Sequence, residues 1–234
     1  MARTPEALVA VLQAAHGRAF VAAFVHGSAA RGDHHHTWSD VNLVVIVRRV
    51  DPAALRRAAP AVRRWEKRGN PPPLLMSPSF LRRSADVYPL EWTDILETRR
   101  VLAGPDPLRG LRVSRFALRQ ELERELKSAW LRLLGRLQVV VDDRRALRDL
   151  LVHSSSTFLV LFRGCLRLVG RGDLPPKEDA ARALGLRWGF SPQSFDAIRT
   201  LRDHDGSPDL APILRGYLAA IEKAVTKVDS WKRN

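Results

Sequence analysis

The sequence predicts an α+β protein in two parts: a mixed α/β domain over residues 1–110 and an all-α helical bundle over residues 111–234. Three observations predict it. Short apolar runs rich in β-branched residues are confined to the first hundred or so positions. They are interrupted by helix-length segments with cap-and-proline starts such as Asp51-Pro52. From Ser114 onward the hydrophobic spacing is helical almost throughout.

The elements follow in order. Leu8, Val11, Leu12 and Ala15 fall at helical spacing within residues 5 to 18, with Glu6 and Gln13 off that face. Phe20 to Val25 is a short apolar run stopping at Gly27, and Leu43 to Val47 is a second; both read as buried strands. Asp51-Pro52 opens a helix through Arg68, which Pro60 is expected to kink or split. Gly69-Asn70-Pro71-Pro72-Pro73 closes it; Leu74 to Ser77 is a third strand, and a short helical segment surrounds Phe80. A fourth strand is expected within Asp86 to Thr93. The helical part then reads as Ser114 to Val140, Arg144 to Val169, Lys177 to Leu184, Ser191 to His204 and Pro208 to Val228, with Ser191-Pro192 and Ser207-Pro208 as start signals.

Composition narrows the function classes. Arg interrupts every apolar run well short of the eighteen or so residues a membrane span needs, and the first twenty residues lack the apolar stretch of a secretion signal, so a cytoplasmic protein is expected. Cys165 is the only cysteine, which excludes an internal disulfide, and its apolar surroundings read as core packing. The formal charge of +14 favours an anionic partner, nucleotide or nucleic acid. The same charge is also what an Arg-rich chain gives by spreading cations over solvated helix faces. Composition assigns no oligomeric state.

The chemistry-bearing stretch is GSAARGDHHHTWSDVNLVVIV, residues 27 to 47. Gly27 and Ser28 follow a strand and start a turn of helix, where backbone N–H groups approach phosphate oxygens closely and the helix terminus adds favourable partial charge. Arg31 can pair with the same phosphates. Asp40 and Asn42, two apart at the start of the second strand, project to one face, so their oxygens can grip one cation or bridge two. Such oxygens suit phosphoryl or nucleotidyl transfer, where divalent ions bind the triphosphate and stabilise charge developing at the attacked phosphorus.

GSAARG followed by SDVNLVVIV resembles the signature of the nucleotidyltransferase superfamily related to DNA polymerase beta and kanamycin nucleotidyltransferase: Gly-Ser, a few residues ending in Gly, then Ser-Asp-x-Asp and an apolar strand. The resemblance covers about residues 20 to 104. It implies a small mixed sheet with flanking helices, magnesium (Mg2+), and a nucleoside triphosphate, such as ATP, whose nucleotidyl group moves to an acceptor. It also implies a third carboxylate on a later strand. Among Asp86, Glu91 and Asp94, Glu91 is the first choice because it lies inside the expected strand, and Asp94 is the second; the alternative is that Glu91 simply faces solvent on an edge strand.

Asn42 stands where the family has its second Asp. An amide oxygen still ligates a hard cation, yet brings no charge and takes no proton. The triphosphate carries charge of its own to the ion it travels with, so loss falls on the ion that activates the acceptor. The expected catalytic groups are therefore Asp40 and Glu91, with Asp40, Asn42 and Glu91 holding metal and Gly27, Ser28 and Arg31 holding the nucleotide. Two alternatives stand beside this enzyme: a degenerate nucleotide-binding or regulatory module of the same fold, and a basic nucleic-acid-binding protein.

Other features are discounted. Consecutive side chains of His34, His35 and His36 point in different directions, which favours a solvated loop over a metal site. Of the six tryptophans, only Trp38 lies in the motif; the others read as packing. Arg115, Arg119, Arg124 and Arg132 are interleaved with Glu121, Glu123 and Glu125, the pattern of surface ion pairing.

Overall fold

A computed structural model describes residues 4–27, 41–170, 174–203 and 208–231. Two compact units divide at Ser114/Arg115.

In the first unit, helix α1 (Pro5–His16) starts where Thr4 accepts the Ala7 N–H at 3.2 Å, with proline in its first turn. Strand β1 (Phe20–His26) follows, then β2 (Asn42–Val47), helix α2 (Pro52–Glu66), β3 (Leu74–Met76), helices α3 (Pro78–Arg83) and α4 (Pro89–Thr98), and β4 (Arg100–Ala103). The sheet is mixed, in the order β3-β2-β1-β4: β1 is antiparallel to β2 and β4, while β2 and β3 are parallel.

Both faces of β1 and β2 are covered, which explains why they read as unbroken apolar runs rather than alternating ones. Ala23, Val25, Leu43, Val45 and Val47 pack with Leu8, Leu12 and Trp65 of α1 and α2. Ala22, Phe24, Val44 and Ile46 pack with Leu81, Trp92 and Ile95 of α3 and α4. Trp65 is 1% exposed and its indole donates to the Pro71 carbonyl at 2.9 Å.

Two expectations are corrected. Pro60 does not split α2, which runs on through it. Pro60 and Arg56, whose carbonyl loses its helical partner, are both exposed, so water can satisfy the freed group. The strand expected within Asp86 to Thr93 is instead α4. Pro89 sits in its first turn, and Trp92, Ile95 and Thr98 are buried at a spacing of three, the period of a helix. The fourth strand is β4, one residue after that helix ends.

The second unit is helical: α5 (Arg115–Val140), α6 (Arg144–Leu168), α7 (Ala180–Trp188), α8 (Gln193–Asp203) and α9 (Leu210–Asp229). Asp143 and Asp209 cap α6 and α9 by accepting the Ala146 and Ala211 N–H groups at 3.0 Å. Its core holds Phe158, Phe162, Phe195 and Tyr217, and the Tyr217 hydroxyl lies 2.9 Å from that of Ser154. Cys165 is fully buried there, and burial pushes its thiol well above its ordinary pKa. Arg119 pairs with Glu123 at 2.8 Å and Arg124 with Glu125 at 3.2 Å, the pairing expected of those interleaved charges. No helix among the described residues is long and apolar enough to cross a membrane.

Candidate functional site

The candidate site is built where β1 ends and β2 begins. His26, the last residue of β1, is the antiparallel partner of Asn42, the first of β2. Directly opposed residues project to the same face. That face continues from Phe24 and Val44, which lie against α4.

Gly27 turns the chain out of β1 with φ +80°, a left-handed conformation that favours glycine. A Cβ added there would meet the Asn42 side-chain amide at 3.4 Å, so Asn42 lies folded against the turn. The Gly27 N–H donates to the Thr98 hydroxyl at 3.0 Å, and that hydroxyl donates to the Asp94 carbonyl at 2.8 Å. On the other strand, the Val41 N–H donates to the Asn70 side chain at 3.1 Å, tying the start of β2 to the loop after α2.

One acid of α4 acts on this end of the sheet. Burial holds the half-buried His26 imidazole below its ordinary pKa, and the Asp94 carboxylate opposes that shift. Asp94 is half-buried; Glu91, one helical step earlier, is exposed, and Asp86 is exposed in the turn before the helix. Glu91 thus lies on a helix, not on the strand that motivated its choice.

Of the residues singled out from sequence, Gly27 and Asn42 are together, and Glu91 is on the nearby α4. Ser28, Arg31, Asp40, the three histidines and Trp38 lie outside the described residues. Sequence reading missed His26, Asn70 and Thr98. A signal existed for Thr98: read as a helix, residues 89–98 place it one turn beyond Asp94, on the same face.

Among the described residues no three His, Cys, Asp or Glu side chains gather to hold a metal ion. The amide of Asn42 and the carboxylate of Asp94 are oxygen donors of the kind a hard divalent cation such as magnesium takes.

The chain matches no family model and no curated protein. Among solved structures it is similar to the spectinomycin adenyltransferase AAD(9) from Enterococcus faecialis, solved with ATP and spectinomycin, at a TM-score of 0.53 and 12% identity, over 95% of this chain and 97% of that one. A toxin-antitoxin protein solved with AMP-PNP aligns over 60% of this chain and 98% of its own, at a TM-score of 0.30 and 18% identity, too low a score to add weight. The fold is therefore α+β and similar to that of this adenyltransferase.

Proposed function

We propose that the chain is a nucleotidyltransferase that moves a nucleotidyl group from a nucleoside triphosphate to an acceptor with magnesium. The observation that carries this reading is the meeting of three elements at one end of the sheet: the Gly27 turn, the β2 start bearing Asn42, and the helix bearing Asp94. The sequence motif and the likeness in fold support it.

In this reading Ser28 and Arg31 bind the triphosphate at the turn that Gly27 shapes. Asp40, Asn42 and an acid of α4 hold magnesium; half-burial beside His26 favours Asp94 over Glu91 for that acid. Magnesium, when bound, supplies positive charge to the phosphates. An acceptor hydroxyl forms its bond to the α-phosphorus as the bond to the bridging oxygen breaks, pyrophosphate departs, and the hydroxyl proton passes to a carboxylate, the role this reading gives to Asp40. The +14 charge favours an anionic acceptor, nucleic acid among them, over a polycation.

Asn42 favours a second reading, nucleotide binding without turnover, because an amide gives the acceptor-side ion no charge. Pyrophosphate release from labelled ATP separates the two. Turnover by the wild type that Asp40→Ala abolishes supports the enzyme. Binding alone, converted to turnover by Asn42→Asp, supports the degenerate module. RNA or DNA affinity with steep salt dependence and no response to Asp40→Ala supports the nucleic-acid binder instead.

A further inference from the structure

Thr98 is 6% exposed near the end of α4. A helical threonine commonly returns its hydroxyl proton to the carbonyl four residues back, as Thr98 does to Asp94. That leaves its oxygen lone pairs free to accept. They accept the Gly27 N–H, from 71 positions away in the chain.

We propose that Thr98 is a positioning residue for the triphosphate, its hydroxyl fastening the Gly27 turn to the helix that carries Asp94. The inference rests on the nucleotide reading of this site. One oxygen bridges the two structures that must keep a fixed separation if phosphates lie against the turn and a carboxylate lies behind them. The bridge occupies the Gly27 N–H and fixes the position of the Gly27 turn relative to α4. The Gly27 backbone, left-handed at φ +80°, cannot compensate by adopting an ordinary conformation without redirecting the chain.

The test is calorimetric titration of the full chain with magnesium ATP and, separately, with magnesium tripolyphosphate, for wild type, Thr98→Val and Thr98→Ser. Valine keeps the shape and removes the bridge; serine restores it. The expected result is an affinity about three- to tenfold weaker for both ligands in Thr98→Val, with Thr98→Ser close to wild type. A purely structural role would lower the melting temperature of Thr98→Val but leave both affinities unchanged well below that temperature, and this would overturn the proposal. If Thr98→Val does not fold, exchange at the Gly27 amide of the wild type decides. Added magnesium ATP slows it if the bridge is coupled to phosphate binding, and unchanged exchange at saturation overturns the inference. Absence of ATP binding by the wild type would instead remove the nucleotide reading itself.

Discussion

Gly104, which follows β4, gives the sharpest stability prediction in the first unit. Its φ is +76°, and a Cβ there would fall 2.1 Å from the Val21 carbonyl oxygen and 2.9 Å from the Ala22 Cα. Both atoms are backbone of β1, which is paired on both edges and has nowhere to retreat. Gly104→Ala therefore carries about 1–2 kcal/mol for the left-handed conformation and about 1–3 kcal/mol for overpacking, about 2–5 kcal/mol in all. Gly27 is the internal control. Its φ of +80° is alike, but among the described residues its added Cβ meets only the Asn42 amide at an ordinary 3.4 Å, so Gly27→Ala should lose about 1–2 kcal/mol. Urea unfolding gives the two losses, and hydrogen exchange at Ala22 to Phe24 localises the larger one to β1. Equal losses, or a greater loss at Gly27, would refute the steric argument.

Three other predictions follow from the same unit. Asp94→Asn should lower ATP turnover at least about a hundredfold while Glu91→Gln stays within about threefold; the reverse ranking in a pyrophosphate-release assay would return the role to Glu91. His16 is 6% exposed, neither ring nitrogen has a hydrogen-bond partner among the described residues, and burial holds its pKa below 6.5. The unfolded chain thus takes up a proton first as pH falls through about 6.5, so His16's contribution is whole above that value and is lost below it. His16→Leu should flatten the fall of the urea midpoint between about pH 7 and pH 5, and an unchanged slope would exclude His16 as its source. The Arg99 guanidinium, 2.8 Å from Asp106, holds that carboxyl below its usual value of 3.8, helped by the Leu108 N–H. Asp106→Asn should lose about 1 kcal/mol at neutral pH, and the difference should vanish as pH falls through the depressed value; a loss that persists in acid would point to packing rather than charge.

What was legible in the sequence had local causes. β1 and β2 stood out because burial on both faces makes each an uninterrupted apolar run, and Asp51-Pro52 marked α2 because cap and proline are adjacent in the chain. α4 is obscured by the composition around its start: Val87 and Tyr88 just before it and Trp92 and Thr93 within it are residues that strands favour, and the deciding signs are Pro89 and the three-residue spacing of its buried face. β4 has four residues, Arg100–Ala103, between Arg99 and Gly104, too few for a period to show. At the site, the Gly27 and Asn42 pair was legible because strand and turn are consecutive in the motif. The bonds from Gly27 to Thr98 and from Val41 to Asn70 join residues 71 and 29 positions apart, and no local pattern encodes them. The preference for Glu91 over Asp94 rests on reading this stretch as a strand, and both residues lie on α4.

The most direct measurement is a crystal structure of the chain with magnesium and a non-hydrolysable triphosphate. The phosphates should lie against the Gly27 turn, with an ion touching Asp40 together with Asn42 or Asp94. Phosphates bound away from that turn, or an ion that none of those three side chains reaches, would contradict the proposed function.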